Sequence, residues 1–343
     1  MTTQSPEERK RPGVCYAVTI DGVELPVVDI THPAFALDVP DRIAVDAMIT
    51  KAVREQDRTN RLPAFVRKPL LWMLSRNSVL MRGIIGANET FLSGMTTYLM
   101  KLGADNLGAH FSGKLDKAVA SSLPAFSLRL RLRDASQVMA GQLVPLLSAR
   151  PKAPLHFINI AGGAASDSLN SLILLHKEFP HLLSGRAVML HVYDLECGAP
   201  AFAERALQAL NVPTAPLAGI DVAFEYRPYN WLEPARLETY LADLDLEDAV
   251  VAVSSEGGLG DYGGEQAVSS NLQAVAAGTP ANTTLMMTIT PNEGPAAVFN
   301  AVSVARIVPR SLQEFTRLAE HAGWRFVESR EQPMNTVVGL RKM

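Results

Sequence analysis

Polar residues follow three short apolar runs in the second half of the chain, at positions where they could contact a ligand. Asp194-Leu195 follows the first run, Asn230-Trp231 the second and Ser254-Ser255-Glu256 the third. When such runs are parallel strands, their carboxyl ends meet at one edge of a sheet, and ligands bind there. A carboxylate at that edge accepts several hydrogen bonds and keeps its charge at neutral pH. The pattern therefore predicts a small-molecule site built from the ends of several strands.

The apolar run at 155–160 and the small residues after it form the most informative stretch of the chain. Gly162 and Gly163 permit a sharp turn and let the backbone approach a bound molecule closely. Ser166 and Asp167 suit the start of a helix, where unpaired N–H groups and the helix dipole gather. A strand, a small-residue turn and a helix together form the usual cofactor corner of a doubly wound fold.

The composition is typical of an ordinary globular protein, with 343 residues, 48% hydrophobic and 20% charged, and a formal net charge of −3. This mild acidity argues against a nucleic-acid partner, because no basic field is available to hold phosphates. Cys15 and Cys197 cannot form a disulfide framework, and neither they nor the histidines show metal-ligand spacing, so we expect no metal. We expect a cytoplasmic location and no membrane span, since the N-terminus lacks a signal-peptide core and no apolar run reaches about 18 residues.

The chain divides by its pattern into three parts. Residues 1–13 are polar and charged, which predicts a disordered tail. Residues 14–150 begin with a hairpin signal at Asp21-Gly22 and continue with helical patterns, which predicts a helical cap preceded by a small β-hairpin. Residues 151–343 alternate strands with helices and end in two strands joined by a short turn. We therefore predict an α/β fold with a mostly parallel sheet whose last strand is antiparallel.

Residues 150–343 resemble the class I S-adenosylmethionine (SAM)-dependent methyltransferase family. The resemblance rests on Ile158–Ala165, on Asp194, and on the C-terminal segments Ser311–Phe315 and Val337–Lys342, in the family's order. It implies a Rossmann-like fold, SAM as cofactor, and a small-molecule acceptor covered by the N-terminal helices. In the family, the turn contacts the methionine part and ribose of SAM, and the acid matching Asp194 accepts from the ribose hydroxyls. The resemblance implies that SAM contacts Asn159, Ala161, Gly162, Gly163, Asp194, Leu195, Asn230, Trp231, Ser254 and Ser255.

Three residues are candidate catalytic groups, needed as a base only if the acceptor loses a proton. Glu256 and Tyr262 belong to a Gly-rich loop at the end of a predicted strand, where the alternative for Glu256 is a solvated loop acid. Tyr98 lies on the apolar face of a helix predicted over 88–102, where the alternative is a core tyrosine.

The departures from the family pattern leave the reaction open. Two family glycines are replaced by Ala161 and Ala165, and the acid that commonly precedes the turn is replaced by Asn159. An amide near the SAM amino group would lower that amine's pKa by roughly one unit relative to a carboxylate. The main hypothesis is methyl transfer to a small molecule. The alternatives are a SAM-consuming cyclase, which would form azetidine-2-carboxylate and methylthioadenosine, and a non-catalytic binding protein. The apolar helical half also offers a surface for a homodimer.

Overall fold

A computed structural model describes residues 10–39, 42–87, 91–111, 113–301 and 305–343. The predicted tail at 1–13 lies mostly outside these residues, as do residues 88–90 of the predicted helix over 88–102. The hairpin pairs β1 (Tyr16–Val18) with β2 (Glu24–Pro26) in antiparallel fashion. Its turn places Gly22 at a φ of 78°, a conformation that glycine adopts without steric cost.

Helices fill the rest of the first half of the chain. They are α1 (Arg42–Asn60), α2 (Ala64–Asn77), α3 (Val79–Gly86), α4 (Gly94–Leu102), α5 (Lys114–Ala120) and α6 (Leu123–Ala149). Helix α4 is shorter than predicted because Ser93 ends the preceding segment, where its hydroxyl accepts the N–H of Thr96 and caps the helix. None of the helices in the described ranges combines the length and apolar character that a membrane span requires.

The second half alternates strands and helices. The elements are β3 (Leu155–Ile160), α7 (Ser166–Glu178), β4 (Val188–Asp194), α8 (Gly198–Leu210), β5 (Val222–Pro228), α9 (Pro234–Ala242), β6 (Val250–Ser255), α10 (Leu259–Tyr262), α11 (Glu265–Gly278), β7 (Thr284–Ile289), α12 (Gly294–Asn300), α13 (Leu312–His321), β8 (Trp324–Glu331) and β9 (Thr336–Lys342). The sheet order is β5-β4-β3-β6-β7-β9-β8, and only β9 is reversed. The predicted fold class is confirmed.

The central strands are buried on both faces, as expected for a parallel sheet covered by helices. Consecutive residues of a strand point to opposite faces. Phe157 accordingly packs in the core beneath α6, α7 and α8, whereas Ile158 packs in the core beneath α9, α11 and α13. The sheet therefore has a hydrophobic layer on each side, and the polar groups collect at its carboxyl edge.

Helix α6 belongs to both halves of the chain. It carries Leu123 and Leu130 in the cap region, and its later residues lie against the sheet, where Gln142 bonds Thr284 of β7 and Glu328 of β8. The division between a cap at 14–150 and a SAM domain at 151–343 stays a prediction. The structure adds that α6 joins the two regions through continuous packing.

A row of polar side chains crosses three strands on the face covered by α9. His156 of β3 lies 3.1 Å from His191 of β4 (Nδ1 to Nε2), and His191 Nδ1 lies 2.8 Å from a carboxylate oxygen of Glu225 on β5. Burial and the neighbouring His191 lower the pKa of His156 to about 4. Burial also lowers the pKa of His191. Both rings are therefore neutral in the folded protein at neutral pH.

We predict that the free energy of unfolding decreases as the pH falls from about 6.5 towards 4. The unfolded chain, whose histidines titrate near pH 6.5, binds protons that the folded chain excludes, so the stability is complete above that pH and is lost below it. Urea unfolding at a series of pH values measures the slope. His156→Gln should flatten it, whereas His181→Gln, an exposed histidine, should leave it unchanged. Equal slopes in the wild type and H156Q would contradict the assignment.

Candidate functional site

The turn after β3 uses a left-handed backbone at three residues, two of which are alanines. The φ angles are 53° at Ala161, 59° at Gly163 and 47° at Ala165. This conformation costs a non-glycine residue about 1–2 kcal/mol. The surroundings hold it in place, since the N–H of Ala161 donates to the carbonyl of Tyr193 at 2.8 Å and Ala165 is fully buried. The chain therefore keeps the glycine-type turn despite the two added methyl groups.

The cap packs directly on this turn through a contact between two glycines. A Cβ atom added to Gly163 would lie 2.8 Å from the Cα of Gly94, the first residue of α4. A Cβ on Gly94 would likewise lie 2.7 Å from the Cβ of Ala199. No side chain fits at either position, so the absence of Cβ atoms is what allows α4 to reach the turn.

Asp194 ends β4 and bonds the same turn from the side. Its Oδ2 accepts the N–H of Gly163 at 2.9 Å, and its Oδ1 accepts the N–H of Glu196 at 3.0 Å. Burial raises the pKa of Asp194, against the opposing effect of these backbone donors. The parallel register sets Tyr193 beside Ile160 and so brings Asp194 level with the start of the turn.

The turn, the end of β4 and the cap enclose a cleft at the carboxyl edge of the sheet. Its free volume is only about 40 Å³, whereas sites for small molecules usually have about 300–1,000 Å³. One lining hydroxyl, Ser166 Oγ at the start of α7, is buried and has no hydrogen-bond partner among the described residues. The cleft as it stands is therefore smaller than a ligand of cofactor size. Of the residues predicted to bind SAM or act in catalysis, the cleft is lined by Ala161, Gly162, Gly163, Asp194, Leu195, Trp231, Tyr98, Glu256 and Tyr262.

Trp231 and Asn230 follow β5, but they have different surroundings. The Trp231 ring lines the cleft with its centroid 5.9 Å from that of Phe91, and Asn271 donates to its backbone carbonyl at 2.8 Å. The side-chain oxygen of Asn230 instead accepts the N–H of Leu232 at 3.0 Å and stabilises the local turn. Trp231 is thus available to a ligand, whereas Asn230 does not line the cleft.

Asn159 lies beneath the turn and does not line the cleft. Its Nδ2 donates to Asp167 at 2.8 Å, to Ser254 at 3.0 Å and to Ser168 at 3.1 Å. Burial and the nearby Glu256 raise the pKa of Asp167. Asn159 therefore belongs to a buried polar network, and the structure gives no support to the cyclase argument, which required this amide beside the SAM amino group.

The two serines that end β6 are also structural in this arrangement. Ser254 takes part in the Asn159 network, and Ser255 Oγ accepts the N–H of Leu259 at 3.2 Å. Neither residue lines the cleft. Their predicted contacts with SAM remain predictions.

Glu256 is held between two cations that the sequence reasoning missed. One carboxylate oxygen bonds Lys101 of α4, and the other accepts from Arg131 Nε of α6 at 2.5 Å. Arg131 also contacts Asp261 at 2.8 Å. Burial alone would raise the pKa of Glu256, but Lys101 and Arg131 lower it to about 2. A carboxylate with this pKa is a poor proton acceptor at neutral pH, which argues against its proposed role as a general base.

The two tyrosine candidates are also unsuited to act as bases. Tyr98 donates its hydroxyl to the carbonyl of Pro26 at 2.8 Å and accepts the N–H of Val28 at 3.1 Å, so it ties α4 to the segment after β2. Burial raises its pKa. Burial and Asp261 raise the pKa of Tyr262 to about 12. Both phenols stay protonated at neutral pH, and Tyr98 matches the core-tyrosine alternative.

Lys101 and Arg131 carried a signal that was available in the sequence. Lys101 is a cation on the buried face of a largely apolar helix, next to Leu102, and Arg131 is a buried cation between Leu130 and Leu132 in a segment that also carries Arg129 and Arg133. Long charged side chains are almost never fully buried unless they are paired.

Within the described ranges, no group of three or more His, Cys, Asp or Glu residues is arranged to hold a metal ion.

We predict that Glu256→Gln lowers the free energy of unfolding by about 3–5 kcal/mol, since it leaves two buried cations without their shared anion. Urea denaturation at neutral pH measures the change. Glu233→Gln is the matched control, because that exposed residue pairs with Arg236 at 3.6 Å and should change the stability by less than about 1 kcal/mol. A loss no larger than the control's would show that the buried pairs do not stabilise the fold.

No protein-family model matches the chain, and no curated protein matches it. Among solved structures, a protein described as a possible exported protein from Bordetella parapertussis is 16% identical, with 89% of this chain and 99% of that chain covered and a TM-score of 0.55. A 1,6-didemethyltoxoflavin-N1-methyltransferase from Burkholderia thailandensis is 17% identical, with coverages of 62% and 78% and a TM-score of 0.40. An N,N-8-amino-8-demethyl-D-riboflavin dimethyltransferase from Streptomyces davawensis is 13% identical, with coverages of 91% and 74% and a TM-score of 0.42. The strand order with reversed β9 identifies the fold of this chain as the class I methyltransferase fold.

Proposed function

We propose that the protein binds SAM in the cleft and transfers its methyl group to a small molecule. The observation that carries the proposal is the position of Asp194, which ends the second parallel strand and bonds the N–H of Gly163 in the neighbouring turn. In the resembled family, the matching acid accepts hydrogen bonds from the ribose hydroxyls. A carboxylate suits this task because it accepts several hydrogen bonds at once.

The residues that line the cleft fit SAM chemically. Ser166 lines the cleft, and its buried, unpartnered hydroxyl can bond a polar ligand group once the cap has opened. The Trp231 ring can cover a planar base, and the carboxylates of Asp194 and Glu196 favour a positively charged ligand. These groups would hold SAM once the cap has opened, since the closed cleft is too small for it.

Bound SAM would supply a methyl group attached to a sulfonium, which is a good leaving group. The chain would contribute position and exclusion of water, because closure of α4 on the turn removes the cleft from solvent. Lys101 would stay fixed by Glu256, which remains ionised between its two cations. With Glu256, Tyr98 and Tyr262 unsuited as bases, we propose an acceptor whose reacting atom needs no protein base at neutral pH.

We predict that Asp194→Ala weakens binding of S-adenosylhomocysteine by about 10- to 100-fold, which corresponds to about 1.5–3 kcal/mol for a lost charged hydrogen-bonding partner. Isothermal titration calorimetry measures the affinity. Glu204→Ala, an exposed acid on the following helix, is the control and should bind as the wild type does. If D194A and the wild type bound S-adenosylhomocysteine with equal affinity, the proposed contact between Asp194 and the ribose would be wrong. Absence of binding by the wild type would favour the non-catalytic alternative.

We predict that SAM incubated with the protein alone stays intact, and that methylated product appears only when an acceptor is added. The cyclase would need the Asn159 amide beside the SAM amino group, but this amide bonds Asp167 beneath the turn. Mass spectrometry of the reaction mixture detects both outcomes. If methylthioadenosine formed without an acceptor, the methyltransferase proposal would be wrong and the cyclase alternative would be supported.

A further inference from the structure

Arg310 is a buried cation that the proposed function does not use. It lies in the segment just before α13, and only 5% of its surface is exposed. A buried guanidinium normally pairs with a carboxylate. Among the described residues, however, Arg310 forms no ion pair, and its guanidinium donates to the backbone carbonyls of Gly260 and Gly263, the latter at 2.6 Å. The reason for its burial therefore lies in α10, the helix beside these carbonyls.

The carbonyls of α10 depend on donors from outside the helix. The last four carbonyls of an α-helix have no partner within it, and α10 has only four residues. Arg310 supplies two of the missing donors, and the N–H of Val308 supplies a third, to the carbonyl of Asp261 at 2.8 Å. The N–H of Arg310 in turn donates to the carbonyl of Thr290 after β7 at 2.9 Å. The segment before α13 thus ties α10 to the end of a central strand.

Helix α10 forms part of the cleft wall through its last residue, Tyr262. The Tyr262 ring lines the cleft, with its centroid 6.2 Å from that of Phe91 in the cap region. The Phe91 ring in turn lies 5.9 Å from the ring of Trp231, so the three rings form one continuous aromatic wall. A displacement of α10 would therefore move the Tyr262 ring out of this wall.

We propose that Arg310 is a positioning residue for the cleft, which acts by holding α10 and its Tyr262 ring in the cleft wall. The inference deepens the proposed function and rests on it, because the cleft is the site that we assign to SAM. A guanidinium suits this task, since its N–H groups form a rigid fork that can bond two carbonyls at fixed positions. The ammonium of a lysine carries the same charge but is a single point donor. Arg310→Lys therefore removes the fork and keeps the charge.

Hydrogen exchange of the full chain, followed by mass spectrometry, tests whether Arg310 holds α10. In Arg310→Lys, the amides of residues 257–264 should exchange about tenfold faster than in the wild type, because α10 loses charged donors to its carbonyls. Arg186→Lys is the matched control. Arg186 is also buried and donates to backbone carbonyls, among them those of Leu182 and Leu147, but it precedes β4 at the opposite edge of the sheet. Exchange of 257–264 that is unchanged in R310K, or equally faster in R186K, would overturn the proposal.

Calorimetric titration with S-adenosylhomocysteine tests whether this position matters to the ligand. R310K should bind about three- to tenfold more weakly than the wild type, whereas R186K should bind as the wild type does. Combined with Tyr262→Ala, R310K should cause no further loss of affinity, because the ring through which Arg310 acts is then absent. Losses that add in the double variant would overturn the proposal. Absence of binding by the wild type would instead contradict the proposed function, and the exchange experiment would still decide whether Arg310 positions α10.

Discussion

Glu256 is a fully buried carboxylate that holds two cations from two different helices of the N-terminal half. Moving charged groups out of water costs several kcal/mol for each ion, and only complete pairing offsets that cost. Here Glu256 pairs with both Lys101 and Arg131, and Arg131 also pairs with Asp261, so each of these charged groups has a partner. This balance fixes the end of β6 relative to α4 and α6. The floor of the cleft and the position of the cap thus depend on one set of ion pairs.

The opposite end of α4 is fixed by size instead of charge. Gly94 meets Gly163 where neither position has room for a side chain, so the helix begins on the turn itself. The same helix thus contacts the residues assigned to the cofactor at its first residue and the buried carboxylate near its last. Helix α4 is thus held by a backbone contact at one end and by ion pairs at the other.

The sequence predicted the fold well because strand burial and turn chemistry are local properties. The strand predicted at 155–160 is β3, and the predicted reversed final strand is β9. The site was harder to predict, since a pattern at the end of a strand does not tell which side chains turn towards the cleft and which turn beneath it. Asp194 faces the cleft, whereas Asn159 lies under the turn. The partner of a buried cation such as Lys101 is set by the topology of the sheet, and the local sequence does not identify Glu256, which lies 155 residues away.

The hydroxyl of Tyr98 bonds the chain at Pro26 and Val28, about 70 residues earlier, and this has a consequence for the order of folding. Residues so distant in sequence meet only after a large loop has closed, which makes their contacts late and slow to form. Asn170 of α7 bonds the same segment through Val28 and Ile30, at a separation of about 140 residues. The place of the N-terminal segment on the folded body therefore depends on contacts that close loops of about 70 and about 140 residues.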